Sequence, residues 1–391
     1  MSEKFDVIVI GLGAVGSATV FQLAKRGAKV LGLDRFAPPH KFGSSHGETR
    51  ITRLACGEGP VYTQFARRSH EIWRELERDT GERLLLQNGL LVISGAGERA
   101  SAHGNPAFLQ SSIDAALANG VAHEVLPDAA IRQRFPAFNV ADGDSAYYEA
   151  EAGILFPEKG VRVQIEAALR HGARLQTNEV VERFDANKNG VEVVTNKATY
   201  TAGKVVLSAG PWLPDFLAKP LAQRFTIRRQ VLLWFALKDG EPAARYKPDA
   251  FPVFYWQLPR KQALYGFPWI DTDEPAIKVA TEQYDSTTTA NSVDRSVTPE
   301  EIAAVYDDYV ADFMPGISSR CIKSATCMYT CTEDTHFVID TLPGEPRVIV
   351  ASPCSGHGFK HSPAIGEGIA ELLTQGRPSR VSFDELRWKA A

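Results

Sequence analysis

Apolar, β-branched residues run from Phe5 to Ile10, the pattern of a strand buried on both faces of a parallel sheet. A glycine-rich turn follows. A helical pattern then runs from Ser17 to Arg26, and a second apolar strand from Lys29 to Leu33 ends at Asp34. Further along, Gly160 to His171 reads as a helix with Val163, Ala167 and Ala168 on its apolar side, and Arg174 to Val181 as a strand of the same sheet. Lys204 to Leu207 enters a small-residue turn at Ser208-Ala209-Gly210. Arg347 to Ala351 feeds a glycine-rich stretch and then a helix from Ala364 to Leu373. One sheet thus draws its strands from the start, middle and end of the chain. Between them, the alternating or aromatic stretches Leu84 to Ser94, Phe225 to Lys238 and Phe251 to Trp269 predict a second, largely antiparallel sheet. The expected division is a discontinuous domain of residues 1–83, 158–220 and 334–391, interrupted by a second domain of residues 84–157 and 221–333. The polar run Ser286 to Ser296 predicts a surface loop.

At 391 residues the chain exceeds one ordinary core, in keeping with two domains. Hydrophobic residues at 44% and charged residues at 23% are the balance of a soluble, enzyme-like protein. A formal net charge of -4 without a long basic tract gives no reason to expect nucleic acid or an acidic membrane as partner. The N-terminal apolar stretch runs straight into the glycine motif with no cleavage site, and no stretch reaches the roughly 18 apolar residues of a membrane span. These features predict a cytoplasmic protein with reduced thiols. Its five cysteines, Cys56, Cys321, Cys327, Cys331 and Cys354, are odd in number, and four cluster late. At least one late cysteine therefore needs a reason other than a disulfide.

The turn after the first strand reads Gly11-Leu12-Gly13-Ala14-Val15-Gly16. With a strand before it, a helix after it and Asp34 closing the next strand, it has the full βαβ setting of a dinucleotide site. Gly11, Gly13 and Gly16 permit the tight turn and close approach of a pyrophosphate, and the acidic residue binds a ribose diol. The motif alone leaves NAD and FAD open.

Three further segments carry chemistry: Ser44-Ser45-His46-Gly47-Glu48-Thr49-Arg50-Ile51-Thr52-Arg53, Cys327-Met328-Tyr329-Thr330, and Gly356-His357-Gly358-Phe359-Lys360. Together with the glycine motif they resemble the monomeric sarcosine oxidase and N-methyltryptophan oxidase family, FAD-dependent amine oxidases, over almost the whole chain. The resemblance implies an α/β fold: a Rossmann-like FAD-binding domain with an inserted, largely antiparallel β-sheet substrate domain. It implies FAD attached covalently to Cys327. If Cys327 to Thr330 is extended, Cys327 and Tyr329 share one face, which suits a tether beside a cavity-facing tyrosine. Cofactor contacts are implied at Gly11, Gly13, Gly16, Asp34, Arg35, Ser45, His46, Thr49, Arg50, Val180, Gly356, Gly358 and Lys360.

The family's substrate carboxylate anchors match Arg53 and Lys360, since arginine and lysine supply charge-assisted hydrogen bonds. Tyr265 and Glu282 are further candidates for substrate contact. Glu282 stands where sarcosine oxidase carries a histidine, so sarcosine itself is in doubt as the substrate. Lys278, inside the apolar strand Ala276 to Ala280, matches the lysine that activates dioxygen. His46, Arg50, Tyr329 and His357 complete the catalytic candidates.

The implied reaction oxidises a C–N bond of a secondary amino acid, N-methyl or cyclic, to an imine and reduces dioxygen to hydrogen peroxide. A monomer is expected, with no nucleic acid or membrane partner and no metal. The alternatives are a zinc site at Cys327, Cys331, Cys354 and His357, a dehydrogenase passing electrons to a carrier, an oxidase of primary amino acids that releases ammonia, and a non-catalytic nucleotide-binding subunit.

Overall fold

The computed structural model describes residues 4–95, 100–103, 105–260, 262–270 and 272–389. The first sheet is built around the strand Lys4–Ile10, which pairs in parallel with Thr199–Leu207 on one side and Val30–Leu33 on the other. Arg174–Gln176 extends it in parallel beyond Val30–Leu33. Thr199–Leu207 serves two partners in succession. Its first half pairs antiparallel with Gly190–Thr195, and its second half pairs in parallel with Glu345–Ser352. Two hairpins broaden this parallel core, one joining Val181–Asn187 to Gly190–Thr195 and one joining Val338–Leu342 to Glu345–Ser352.

Side chains alternate across the central strand as a sheet demands. Val7 and Val9 pack with the helices Ala14–Lys25 and Pro157–Arg170, while Ile8 and Ile10 join a separate core on the other face. The helix Ser362–Gln375 lies against Ala14–Lys25 on the same side.

The second sheet runs in the order Ile317–Cys331, Thr226–Leu237, Ala276–Thr281, Leu264–Phe267, Val253–Gln257, Leu90–Ser94, Ser145–Glu149, Glu124–Pro127. Every neighbouring pair is antiparallel except Val253–Gln257 against Leu90–Ser94. The α/β class and the largely antiparallel second sheet agree with the reading of the sequence.

Three of the stretches read as extended are divided by turns. Leu84 to Ser94 divides into Leu85–Leu86 and Leu90–Ser94, and the first piece joins a small sheet with Arg50–Thr52 and Gly153–Leu155. Phe251 to Trp269 is a hairpin of Val253–Gln257 and Leu264–Phe267. Arg174 to Val181 is cut after Gln176, where Asn178 takes a φ of 53° and turns the chain into the next hairpin. Period-two alternation marks extended backbone but not the turns that interrupt it. Among the described residues, no helix is long and apolar enough to cross a membrane.

Candidate active site

A cavity of about 300 Å³ opens at the C-terminal ends of the parallel strands, lined by Ile10, Leu33, Ser208 and Ala351 among others. This is the crevice where open α/β sheets take their ligands. Gly11 has a φ of +90°, and a Cβ at Gly16 would run into the Gly11 carbonyl, so the helix Ala14–Lys25 starts this close to the strand only because both are glycine. Gly13 and Ala14 line the cavity, no side chain caps the helix at Gly13, and the Ala14 N–H donates to Ser45 Oγ at 3.2 Å. The positive end of the helix therefore faces the space.

Asp34 accepts backbone N–H groups of Leu12 at 2.7 Å and Phe36 at 2.8 Å, one on each carboxylate oxygen. Each oxygen keeps a lone pair for a further donor. Arg35 lies 4.9 Å from the Trp212 ring centre and donates to Asn291 Oδ1 at 3.3 Å. Asn291, exposed like most of the Ser286 to Ser296 loop, accepts the Trp212 Nε1–H at 2.8 Å and lines the cavity with Val180. A glycine cradle at a helix N-terminus, a carboxylate at the end of the second strand and an elongated crevice fit a dinucleotide such as FAD.

A second cavity of about 60 Å³ adjoins the first, and Arg50, Tyr329, Gly356 and Phe359 line both. Arg50 donates to Thr49 O and Ser44 O, each at 2.8 Å, and its Nη2 lies 3.6 Å from Cys327 Sγ. Cys327 and Tyr329 both line this second cavity, while Met328 packs on the opposite face with Trp212 and Ile227. The hydroxyls of Tyr265 and Tyr329 are 3.2 Å apart. Burial pushes the Tyr265 phenol up to about 12. Lys278 is buried, with its ammonium 4.7 Å from the Phe267 ring centre, and burial followed by the Arg50 charge drives its pKa well below the ordinary lysine value.

One end of the small cavity is densely charged. Arg53 and Lys360 converge on a single carboxylate, Glu58 Oε1, at 2.6 and 3.1 Å. All three groups are buried. Burial alone would push the Glu58 carboxyl up, but Arg53 and then Lys360 hold it well below the usual carboxylate range. Two cations against one carboxylate leave one positive charge. Glu58 Oε2 and Arg53 Nε have no hydrogen-bond partner among the described residues.

Across the cavity, Glu282 accepts the His103 backbone N–H at 3.1 Å and sits 2.9 Å from His103 Nδ1. Burial opposes its ionisation, and His103 more than offsets that, leaving Glu282 below its ordinary value. His103 Nε2 lies 3.8 Å from Glu58, so this ring stands between two carboxylates. His357 stacks on Phe337, and its Nε2–H donates to Thr335 O at 3.1 Å. Burial drives the His357 pKa well below its ordinary value, which keeps the ring neutral.

The structure thus gathers Lys278, Arg50, Tyr329, His357, Arg53, Lys360, Glu282, Tyr265, Thr49 and Cys327 around the small cavity. Gly11, Gly13, Asp34, Arg35, Ser45, Val180, Gly356 and Gly358 line the large one. Two candidates line neither. Gly16 packs behind the glycine turn, and His46 is buried with Nε2 unpartnered among the described residues, its pKa lowered to about 3 by burial and then by Arg50. Lys360 lines the small cavity and not the large one. All five cysteines are free thiols, and the described residues contain no group of three or more His, Cys, Asp or Glu arranged to hold a metal ion. Glu58 and His103 were not foreseen. Glu58 had one local sign, an acidic residue close after Arg53, whereas His103 reaches the site from a loop with no pattern of its own.

The family model described as FAD dependent oxidoreductase matches residues 6–372. Monomeric sarcosine oxidase of Streptomyces avermitilis is 38% identical over 396 residues, covering 100% of this chain and 100% of that protein. N-methyl-L-tryptophan oxidase of Yersinia pestis (strain Pestoides F) is 34% identical over 384 residues, covering 97% of each. Among solved structures, the open form of NikD, an unusual amino acid oxidase essential for nikkomycin biosynthesis, superposes with a TM-score of 0.83 at 22% identity, covering 100% of this chain and 98% of that one. That last likeness speaks for the fold.

Proposed function

Because the chain belongs to the FAD dependent oxidoreductase family, close to the sarcosine and N-methyl amino acid oxidases, we propose that it oxidises a secondary amino acid, N-methylated or cyclic, to an imine with dioxygen as electron acceptor. It is an FAD-dependent amine oxidase. The observation that carries the substrate class is the convergence of buried Arg53 and Lys360 on Glu58, which leaves one positive charge on this trio at one end of the small cavity. A substrate carboxylate is the natural occupant of such an anchor.

The large cavity takes the cofactor, held by Gly11, Gly13, Asp34, Arg35, Ser45 and Val180, with Cys327 as the covalent attachment point. FAD, when bound, accepts the electron pair of the substrate C–H bond and passes it to dioxygen. The protein's share is positioning and charge. Arg53 and Lys360 fix the carboxylate, and Tyr265 and Tyr329 wall the space beside the cofactor. Their phenols stay protonated and do not act as bases. Neutral His357 orients without charging, and Lys278 supplies a cation on the oxygen-activating side. Glu282 with His103 faces the amine or a distal polar group of the substrate, which separates this pocket from one built for sarcosine. A monomer is the expected working form.

The test is the product balance. Turnover of a secondary amino acid should yield one hydrogen peroxide per substrate, with formaldehyde from an N-methyl compound and no ammonia. Ammonia from a primary amino acid, or electrons reaching only an added carrier, would reassign the reaction. Flavin should stay with the acid-precipitated protein and be released from Cys327→Ser.

A further inference from the structure

The segment Gly47 to Thr49 is held between an acid and a base. On one side, Glu158, in the first turn of the helix Pro157–Arg170, accepts the Gly47 N–H at 2.6 Å and the Glu48 N–H at 3.2 Å. On the other, the Lys278 ammonium donates to Gly47 O at 2.6 Å, Thr49 O at 3.1 Å and Thr49 Oγ1 at 3.1 Å, which uses its three donors. Gly47 and Glu48 have φ of 95° and 70°, two left-handed residues in succession. Successive N–H groups in such a turn form a concave anion-binding nest, and here a side-chain carboxylate fills it. Left-handed backbone at a non-glycine residue costs about 1 kcal/mol or more and persists only where its surroundings hold it.

We propose that Glu158 is a positioning residue for the reaction with dioxygen: its carboxylate holds the Gly47 to Thr49 turn in the shape that cradles the Lys278 ammonium, with a negative charge fixed on the far side of that turn. This rests on the assignment of Lys278 as the oxygen-activating cation. Lys278 is otherwise enclosed by one like charge, two aromatic faces that attract a cation, and a buried histidine. The Arg50 guanidinium is near, the Phe267 and Trp234 rings cover it at 4.7 and 5.3 Å, and His46 is close by. Its other titratable neighbours are Cys327 and Glu48. Burial and Arg50 lower its pKa, and Glu158 is the foremost group opposing them.

The test compares Glu158→Gln, Glu158→Asp and Lys278→Met with the parent holoenzyme in two measurements. The first is the pH titration of the Lys278 ¹³Cε signal in ¹³C-lysine-labelled protein, assigned by its absence from Lys278→Met. The second is the second-order rate of reoxidation by oxygen after anaerobic reduction. In Glu158→Gln the Lys278 titration should move to lower pH. Reoxidation should slow by about tenfold or more where the parent is still charged, and recover as pH is lowered, since a shift of one pH unit is a tenfold change in the charged fraction. Glu158→Asp keeps the charge and should restore the titration. A Lys278 titration unmoved in Glu158→Gln, with reoxidation as fast as the parent while Lys278→Met is slow, overturns the proposal alone. Reoxidation of Lys278→Met at the parent rate removes the assignment of Lys278, and the proposal with it. Should Glu158→Gln fold poorly, Glu158→Asp decides: a titration moved as far as a lost charge requires would count against it.

Discussion

Glu58 is the residue whose presence changes the account most. It occupies the two cations that a substrate carboxylate needs, so binding exchanges one carboxylate for another, or adds a second, at Arg53 and Lys360. Removing its charge should favour the ligand and harm the empty protein, which would then bury two unpaired cations. In Glu58→Gln, propionate, a carboxylate with no amine, should bind about tenfold tighter, and the ligand-free thermal midpoint should fall. Titration of the flavin absorbance with propionate and a thermal scan check both halves. Truncating the anchor acts the other way: Arg53→Met should lose at least about 2 kcal/mol, roughly 30-fold, in kcat/KM for an amino acid substrate. Arg53, Lys360 and Lys278 were legible because each stands in a motif or breaks an apolar run. Glu58, His103 and Glu158 were not, because most of the groups they act on are brought close only by the fold, and a single acid or histidine has no periodicity to read.

At the scale of elements, the glycine turn and the strands around it were readable because their constraints are local. The turn, the helix start and Asp34 lie within one βαβ unit, and each residue type is demanded by its own backbone or by the next element. A Cβ at Gly16 would meet the Gly11 carbonyl, a backbone atom that cannot swing aside. Gly16→Ala should therefore push the helix Ala14–Lys25 off the strand and yield protein with little bound flavin, read as the ratio of absorbance near 450 nm to that of the protein. The same local reasoning failed at Leu84 to Ser94 and at Arg174 to Val181, where a turn interrupts the extended stretch. It succeeded at Cys327 to Thr330 because the strand Ile317–Cys331 is continuous and pairs along most of its length with Thr226–Leu237. That pairing places Gln230 opposite Cys327 and, on its other edge, Trp234 opposite Lys278. One strand thus positions Cys327 and the buried Lys278 at the same cavity.

Over the whole molecule, the site lies where the two sheets meet, and three separated stretches of chain must fold before it exists. Stability then depends on groups far from the chemistry. His70 is buried against Thr52, 2.7 Å from its hydroxyl, and burial lowers its pKa from 6.5 to about 4. A histidine depressed in the folded state gives stability that is present above pH 6.5 and is lost as pH falls toward 4, because the unfolded chain takes up the proton first. The shift corresponds to roughly 3 kcal/mol. The fall in thermal midpoint between pH 7 and 4.5 should be smaller in His70→Asn than in the parent. The central claim, an oxidase of secondary amino acids, is tested most directly by anaerobic stopped-flow mixing of the yellow protein with sarcosine, N-methyltryptophan, L-proline, L-pipecolate and a primary amino acid, followed by admission of oxygen. The account predicts rapid bleaching by at least one secondary amino acid, little by the primary one, and fast return of colour with peroxide. Bleaching by the primary amino acid alone, or by none of the five, would contradict it.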